Sequence, residues 1–146
     1  MTRWWLLLSL LCFSFSELQA QSDTLTTDSG LKYIVTVPGH GTFPVPSRST
    51  VWVHYVGKFA NGLIFDTSSL EGRPIKIRLG KNEVIPAWEE ILPKMRLGTK
   101  ITLISPAELA YGRHGLASDI LGEYKVPPNQ DLIFEMELVK IKTKQN

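Results

Sequence analysis

The stretch LIFEMELVKI, residues 132–141, decides the fold. Leu132, Phe134, Met136 and Leu138 alternate with Glu135 and Glu137, the period of two that sends successive side chains to opposite faces of a strand. One face of a sheet therefore packs inward. What covers it is written in PAWEEILPKM, residues 86–95, where Trp88, Ile91, Leu92 and Met95 fall at i, i+3, i+4 and i+7. Pro86 suits a first helical turn and Pro93 stops the run, so the pattern predicts a short helix from about Pro86 to Leu92.

Outward from these two elements the signals are those of strands. Leu31 to Val37, Val51 to Val56, Ile75 to Leu79 and Lys100 to Ser105 are rich in β-branched and aromatic residues, and Gly and Pro punctuate the gaps between them. Asn61-Gly62 is a hairpin dipeptide between Val56 to Phe59 and Leu63 to Phe65. With one helix to cover several short strands, the expected fold class is α+β: an antiparallel, twisted β-sheet wrapped around one short α-helix.

Length and composition bound the function. The chain has 146 residues, 43% of them hydrophobic and 21% charged, enough for a single core. Sixteen Lys and Arg stand against fourteen Asp and Glu, so a basic nucleic-acid-binding surface is not expected, and no nucleic acid is called as a partner. A single Cys excludes both a disulfide framework and a Cys-based zinc site. No cofactor and no metal are called for.

The N-terminus reads differently from the rest. Arg3, the apolar run from Trp4 to Phe15 and the polar Ser16 to Ala20 form a secretory leader, with cleavage expected after Ala20. The run is shorter than the ~20 residues of a bilayer-spanning helix, so no stable membrane span is expected. Cys12 lies inside it, and a cysteine-free mature chain suits an oxidising compartment; with neither a KDEL-type ending nor an Asn-x-Ser/Thr sequon in the sequence, an exported, periplasmic or secreted protein is expected ahead of one in the endoplasmic reticulum lumen. The expected organisation is a signal peptide over 1–20, a flexible lead-in over 21–30 and one domain over 31–146.

The common catalytic motifs are absent from the sequence. There is no Gly-rich phosphate loop, no Gly-x-Ser-x-Gly elbow and no His-Glu-x-x-His, and His40, His54 and His114 are far apart. His54, between Val53 and Tyr55 on a predicted strand, reads as structural, and Gly112 to Gly115 reads as a turn. What remains is a surplus of aromatic and aliphatic residues at element ends: Tyr55, Phe65, Val84, Ile85, Trp88, Tyr111 and Phe134. Each alone is a core residue; together they predict one apolar cavity.

VWVHYVG (51–57), Phe65 to Ser68, LGKNEVIPAWEE (79–90), ELAYG (108–112) and VPPN (126–129) followed by LIFEMELVKI stand in an order and spacing that resembles the FKBP-type peptidyl-prolyl cis-trans isomerases. The resemblance runs from near Leu31 to the end of the chain, and within the family it is nearest the secreted single-domain and macrophage-infectivity-potentiator-like branches. It implies proline-containing polypeptides as substrates, macrolides as inhibitors, and catalysis without a nucleophile. Tyr55, Phe65, Asp66 and Tyr111 match the family's catalytic positions. Val84, Ile85, Trp88 and Phe134 match its substrate-binding positions, with Trp88 as the floor. The Ile85 N–H and the Tyr111 hydroxyl would hold substrate carbonyls, and Asp66 would be oriented by Tyr55. Three departures stand out: Ile75 replaces an aromatic wall, Glu71 occupies the place of a basic partner for Asp66 and leaves Arg73 as its substitute, and Pro86-Ala87 precedes Trp88. Leu116, Ile120 and Leu121, in a long loop over 113–125, are expected at the pocket rim. A pocket-bearing binding module with little turnover is the alternative to an enzyme.

Overall fold

The computed structural model describes residues 23–41 and 44–143. The expected leader, with Cys12 and the expected cleavage site, lies outside these residues. Among the described residues nine strands form, in chain order: β1 Thr24–Thr26, β2 Lys32–Val37, β3 Thr50–Phe59, β4 Ile64–Thr67, β5 Ile75–Arg78, β6 Lys100–Ser105, β7 Leu116–Ala117, β8 Tyr124–Val126 and β9 Leu132–Lys142. One helix, α1 (Pro86–Ile91), continues into a 3-10 turn at Leu92–Lys94. All the strand pairs are antiparallel. The main sheet runs β1-β2-β6-β9-β3-β4, with β5 on β3 beside β4, and β7 and β8 form a separate ribbon.

The alternating stretch lies at the centre of this order, paired to β6 on one side and β3 on the other. Its inward residues Leu132, Phe134, Met136 and Leu138 are buried, as are Val51 and Val53 of β3 and Ile101 and Leu103 of β6. The helix closes this concave face with Ala87, Trp88 and Ile91, and Leu92 and Met95 extend the same apolar seam into the turn that follows. Six residues of helix are too few to stand alone, so α1 owes its existence to this contact. Pro86 occupies its first turn and has no N–H to leave unsatisfied. Ala87 lies in the helix and not among the residues of positive φ, so the replacement before Trp88 is accommodated without strain.

The structure corrects the sequence reading in two places. Residues 21–30 are not simply a lead-in: Thr24–Thr26 pair with Ile34 to Lys32 at the sheet edge, and Thr27 N–H to Leu31 O at 2.9 Å closes the turn behind them. Three residues are too few to show a period, although Thr and Leu suit a strand. The stretch 113–125 is not an open loop either. It holds a turn at Gly112–His114 and then the β7–β8 ribbon, which docks its Val126 in the core. Gly115 permits that approach, with φ of 67° and a Cβ that would fall 2.4 Å from the Val126 carbonyl oxygen.

Leu138 is fully buried between the sheet and α1. Leu138→Ala is expected to lower unfolding free energy by roughly 2–5 kcal/mol in urea denaturation; a loss below about 0.5 kcal/mol would place the core elsewhere.

Candidate active site

β3 carries the first wall. Tyr55 points to the concave side, and Gly57, two residues on, lies opposite both Asp66 and Phe134. A Cβ at Gly57 would stand 2.7 Å from Phe65 Cζ and 3.2 Å from Phe134 Cε1, so the glycine lets two rings close over the backbone. On β4 the register shifts between Gly57 and Lys58, with Gly57 opposite Asp66 and Lys58 opposite Ile64. The extra residue in this bulge is Phe65. In a regular strand Phe65 and Asp66 would face opposite sides; the bulge re-aims them so that both line the same hollow.

The hollow forms where β3, β4, β9 and the start of α1 meet. Its lining includes Tyr55, Phe65, Asp66, Val84, Ile85, Trp88, Tyr111 and Phe134, all eight residues singled out from the sequence, and its volume is about 130 Å³. Trp88, 4% exposed, is the base. Tyr55 and Phe134 meet it edge-on at 4.9 and 5.3 Å between ring centroids, and Phe65 meets Phe134 edge-on at 5.9 Å. These are the separations at which the positive edge of one ring favours the face of the next. Ile75 and Glu83 complete the lining. The spacing gave no sign of Glu83, which is held at the rim by the Arg78 guanidinium and backbone N–H; those hydrogen bonds lower its pKa. Leu116, Ile120 and Leu121 do not line the hollow. Leu116 packs on the core, while Ile120 and Leu121 project into solvent, the latter fully exposed.

Besides Glu83 at the rim, the polar side chains of the lining are Tyr55, Asp66 and Tyr111. The Tyr55 hydroxyl donates to Asp66 Oδ2 at 2.7 Å, and the Thr67 N–H donates to Oδ1 at 3.0 Å. The cation beside Asp66 is Lys125 of β8, whose Nζ is 3.3 Å from Oδ1. Arg73, the expected substitute, pairs with Glu71 instead, at 3.4 Å. Lys125 lies 59 positions from Asp66 in the sequence, and only folding of the ribbon brings them together. Burial, followed by the hydrogen bond and charge of Asp66, raises the Tyr55 pKa; burial and then the Asp66 charge raise that of Tyr111. Both therefore remain hydroxyl donors through the neutral range. The Ile85 carbonyl accepts the N–H groups of Trp88 and Glu89, while the Ile85 N–H has no backbone acceptor among the described residues. His54 is structural, its Nδ1 3.1 Å from Ser68 Oγ, which also takes the Tyr55 N–H at 3.1 Å.

Among the described residues no three His, Cys, Asp or Glu gather to hold a metal, and no helix is long and apolar enough to cross a membrane. A curled antiparallel sheet thus lies over a short helix, with an aromatic hollow at their junction and the phenol hydroxyls of Tyr55 and Tyr111 in its lining. The chain belongs to the FKBP-type peptidyl-prolyl cis-trans isomerase family, whose match spans residues 41–139. It is 37% identical over 129 residues to a probable FKBP-type peptidyl-prolyl cis-trans isomerase of Haemophilus influenzae, covering 88% of this chain and 50% of that protein. FK506-binding protein 1 of Dictyostelium discoideum is 35% identical over 77% of this chain and 99% of its own. Among solved structures, the crystal structure of AtFKBP13 superposes with a TM-score of 0.75 at 35% identity, covering 83% of this chain and 99% of that one. The chain spans about half the length of the first curated relatives it matches.

The folded state holds the Tyr55 proton more tightly than the unfolded chain, where the phenol has its ordinary pKa of 10.0. The associated stability is complete below that pH and is lost as pH climbs past it toward the folded value. In an alkaline absorbance titration of phenolate, Tyr55→Phe is expected to remove the latest step; an unchanged last step would mean that burial and the Asp66 hydrogen bond together do not hold this proton beyond the other phenols.

Proposed function

We propose that the chain is a peptidyl-prolyl cis-trans isomerase that accelerates X–Pro rotation in exported polypeptides. The observation that carries this reading is the convergence of all eight family site positions on one aromatic hollow of about 130 Å³. A dry cavity of about 150 Å³ holds a benzene-sized ring, so the hollow suits the five-membered ring of proline.

Rotation about X–Pro requires the loss of amide resonance, across a barrier of about 18–20 kcal/mol. The planar amide is charge-separated and the twisted one less so. Walls made of Tyr55, Phe65, Trp88 and Phe134 exclude water and disfavour the planar form more than the twisted form. The Ile85 N–H and the Tyr111 hydroxyl hold the flanking carbonyls, and Asp66, fixed by Tyr55 and Lys125, stands beside the rotating bond. An acceleration of ~10⁶ needs about 8 kcal/mol, which desolvation, shape and aligned donors supply with no covalent intermediate. A macrolide that fills the same hollow would compete with substrate. The secretory leader expected over 1–20 supports action outside the cytoplasm, on chains folding after export.

A proline-peptide isomerisation assay tests the reading. The full chain is expected to raise the rate well above background, and Tyr111→Phe to lower kcat/KM by roughly 5–30-fold, the worth of a hydrogen bond made most strongly at the transition state. Binding of the peptide without any rate gain would favour a binding module over an enzyme.

A further inference from the structure

The convex face of the sheet, on the far side from the helix, carries a grid of charge. Across β5, β3 and β9 the register aligns Lys76, Trp52 and Lys140 in one row and Arg78, Thr50 and Lys142 in the next. Both lysines of the first row lean over the indole, with Lys140 Nζ 4.6 Å and Lys76 Nζ 5.9 Å from the Trp52 ring centroid. A register shift between Trp52 and Val53 leaves Val139 unpaired in β9 and brings Lys140 and Lys142 onto this face. Arg78 is neutralised by Glu83, whereas Lys76, Lys140 and Lys142 have no carboxylate partner among the described residues. Lys76 and Lys140 stand on the two strands that flank β3, so like charges converge on one indole with no carboxylate between them, and their mutual repulsion adds nothing to the stability of the fold.

We propose that this face is a docking groove for an acidic segment of the polypeptide substrate, a proposal that rests on the isomerase reading for the source of its ligand. Two adjoining grooves share Trp52, Lys76 and Lys140, and one of them reaches Ile75, which also lines the proline hollow. β5 is the edge strand between the two sites. A polypeptide leaving the hollow past Ile75 turns over that edge and meets the lysines within a few residues, at roughly 3.3 Å of extended chain each. Along the strand, same-face cations repeat every second residue, which is also the repeat of same-side carboxylates in an extended peptide. The grid thus matches Glu or Asp at alternate positions. A nucleic acid fits less well, because the ammonium groups over the Trp52 ring occupy the surface on which a base would stack. The concavity of the grooves also argues against a flat lipid surface.

The test is direct binding of a labelled, proline-free peptide of alternating Glu and Ser to the full chain, followed by fluorescence anisotropy. Saturable binding is expected, weakened about tenfold or more by Lys76→Glu with Lys140→Glu and abolished as ionic strength approaches 1 M, where the Debye length is about 3 Å. The double variant should keep its rate on a short neutral proline peptide, while its advantage for a proline peptide extended by the acidic segment, read as a lower KM, disappears. Absence of saturable binding, binding unaffected by the double variant, or tighter binding to a single-stranded oligonucleotide or to phosphatidylglycerol vesicles would overturn the proposal. Because the probe contains no proline, failure of the isomerase reading would leave this binding measurement intact, and the two failures are distinguishable.

Discussion

Trp88 presents its indole to Tyr55 and Phe134 at nearly right angles, with centroids about 5 Å away in each case. The short helix that delivers it is anchored by Ile91, Leu92 and Met95 in the core, so the base of the hollow is also the cover of the sheet. The site is therefore inseparable from the fold. The indole N–H has no hydrogen-bond partner among the described residues and is buried, a cost that the molecule accepts in order to present an aromatic floor there. Gly57 removes the one backbone substituent that would hold the walls apart.

Around this apolar centre the polar groups are few and mutually fixed. Asp66 takes hydrogen bonds from Tyr55 and from its neighbour's N–H, and Lys125 reaches it from the β7–β8 ribbon. The ribbon is tied in turn to the segment that carries Tyr111: the Asn129 N–H donates to the Gly112 carbonyl at 2.8 Å, and Gly115 N–H to that of Tyr111 at 3.1 Å. The carboxylate and the two phenols thus belong to one framework. This also explains why the cation for Asp66 need not follow it closely in sequence.

Much of this was legible before the structure. Alternation in residues 132–141 and the four apolar positions from Trp88 to Met95, spread over α1 and the turn after it, fixed which faces meet, because both patterns extend over enough residues to be unambiguous. Eight of the ten lining residues were legible as site positions through the spacing of family motifs rather than through chemistry, since an apolar pocket has no ligand geometry to betray it. Three features escaped. The Thr24–Thr26 edge strand is too short for a period. The Lys125–Asp66 contact depends on how a ribbon of two short strands folds back, which no local pattern encodes. The bulge that turns both Phe65 and Asp66 inward is a matter of register, and register is a relation between strands.

The central claim is that the aromatic hollow over Trp88 receives the proline ring and frees its amide to rotate. Exchange spectroscopy by nuclear magnetic resonance on an X–Pro peptide, with a small fraction of the ¹⁵N-labelled chain present, reads both events in one sample. The account predicts cis–trans exchange cross-peaks far faster than the uncatalysed tens to hundreds of seconds, together with a shift of the Trp88 indole N–H resonance that saturates with peptide. Peptide exchange that stays at the uncatalysed rate, or a saturating shift confined to resonances outside the hollow, would contradict it.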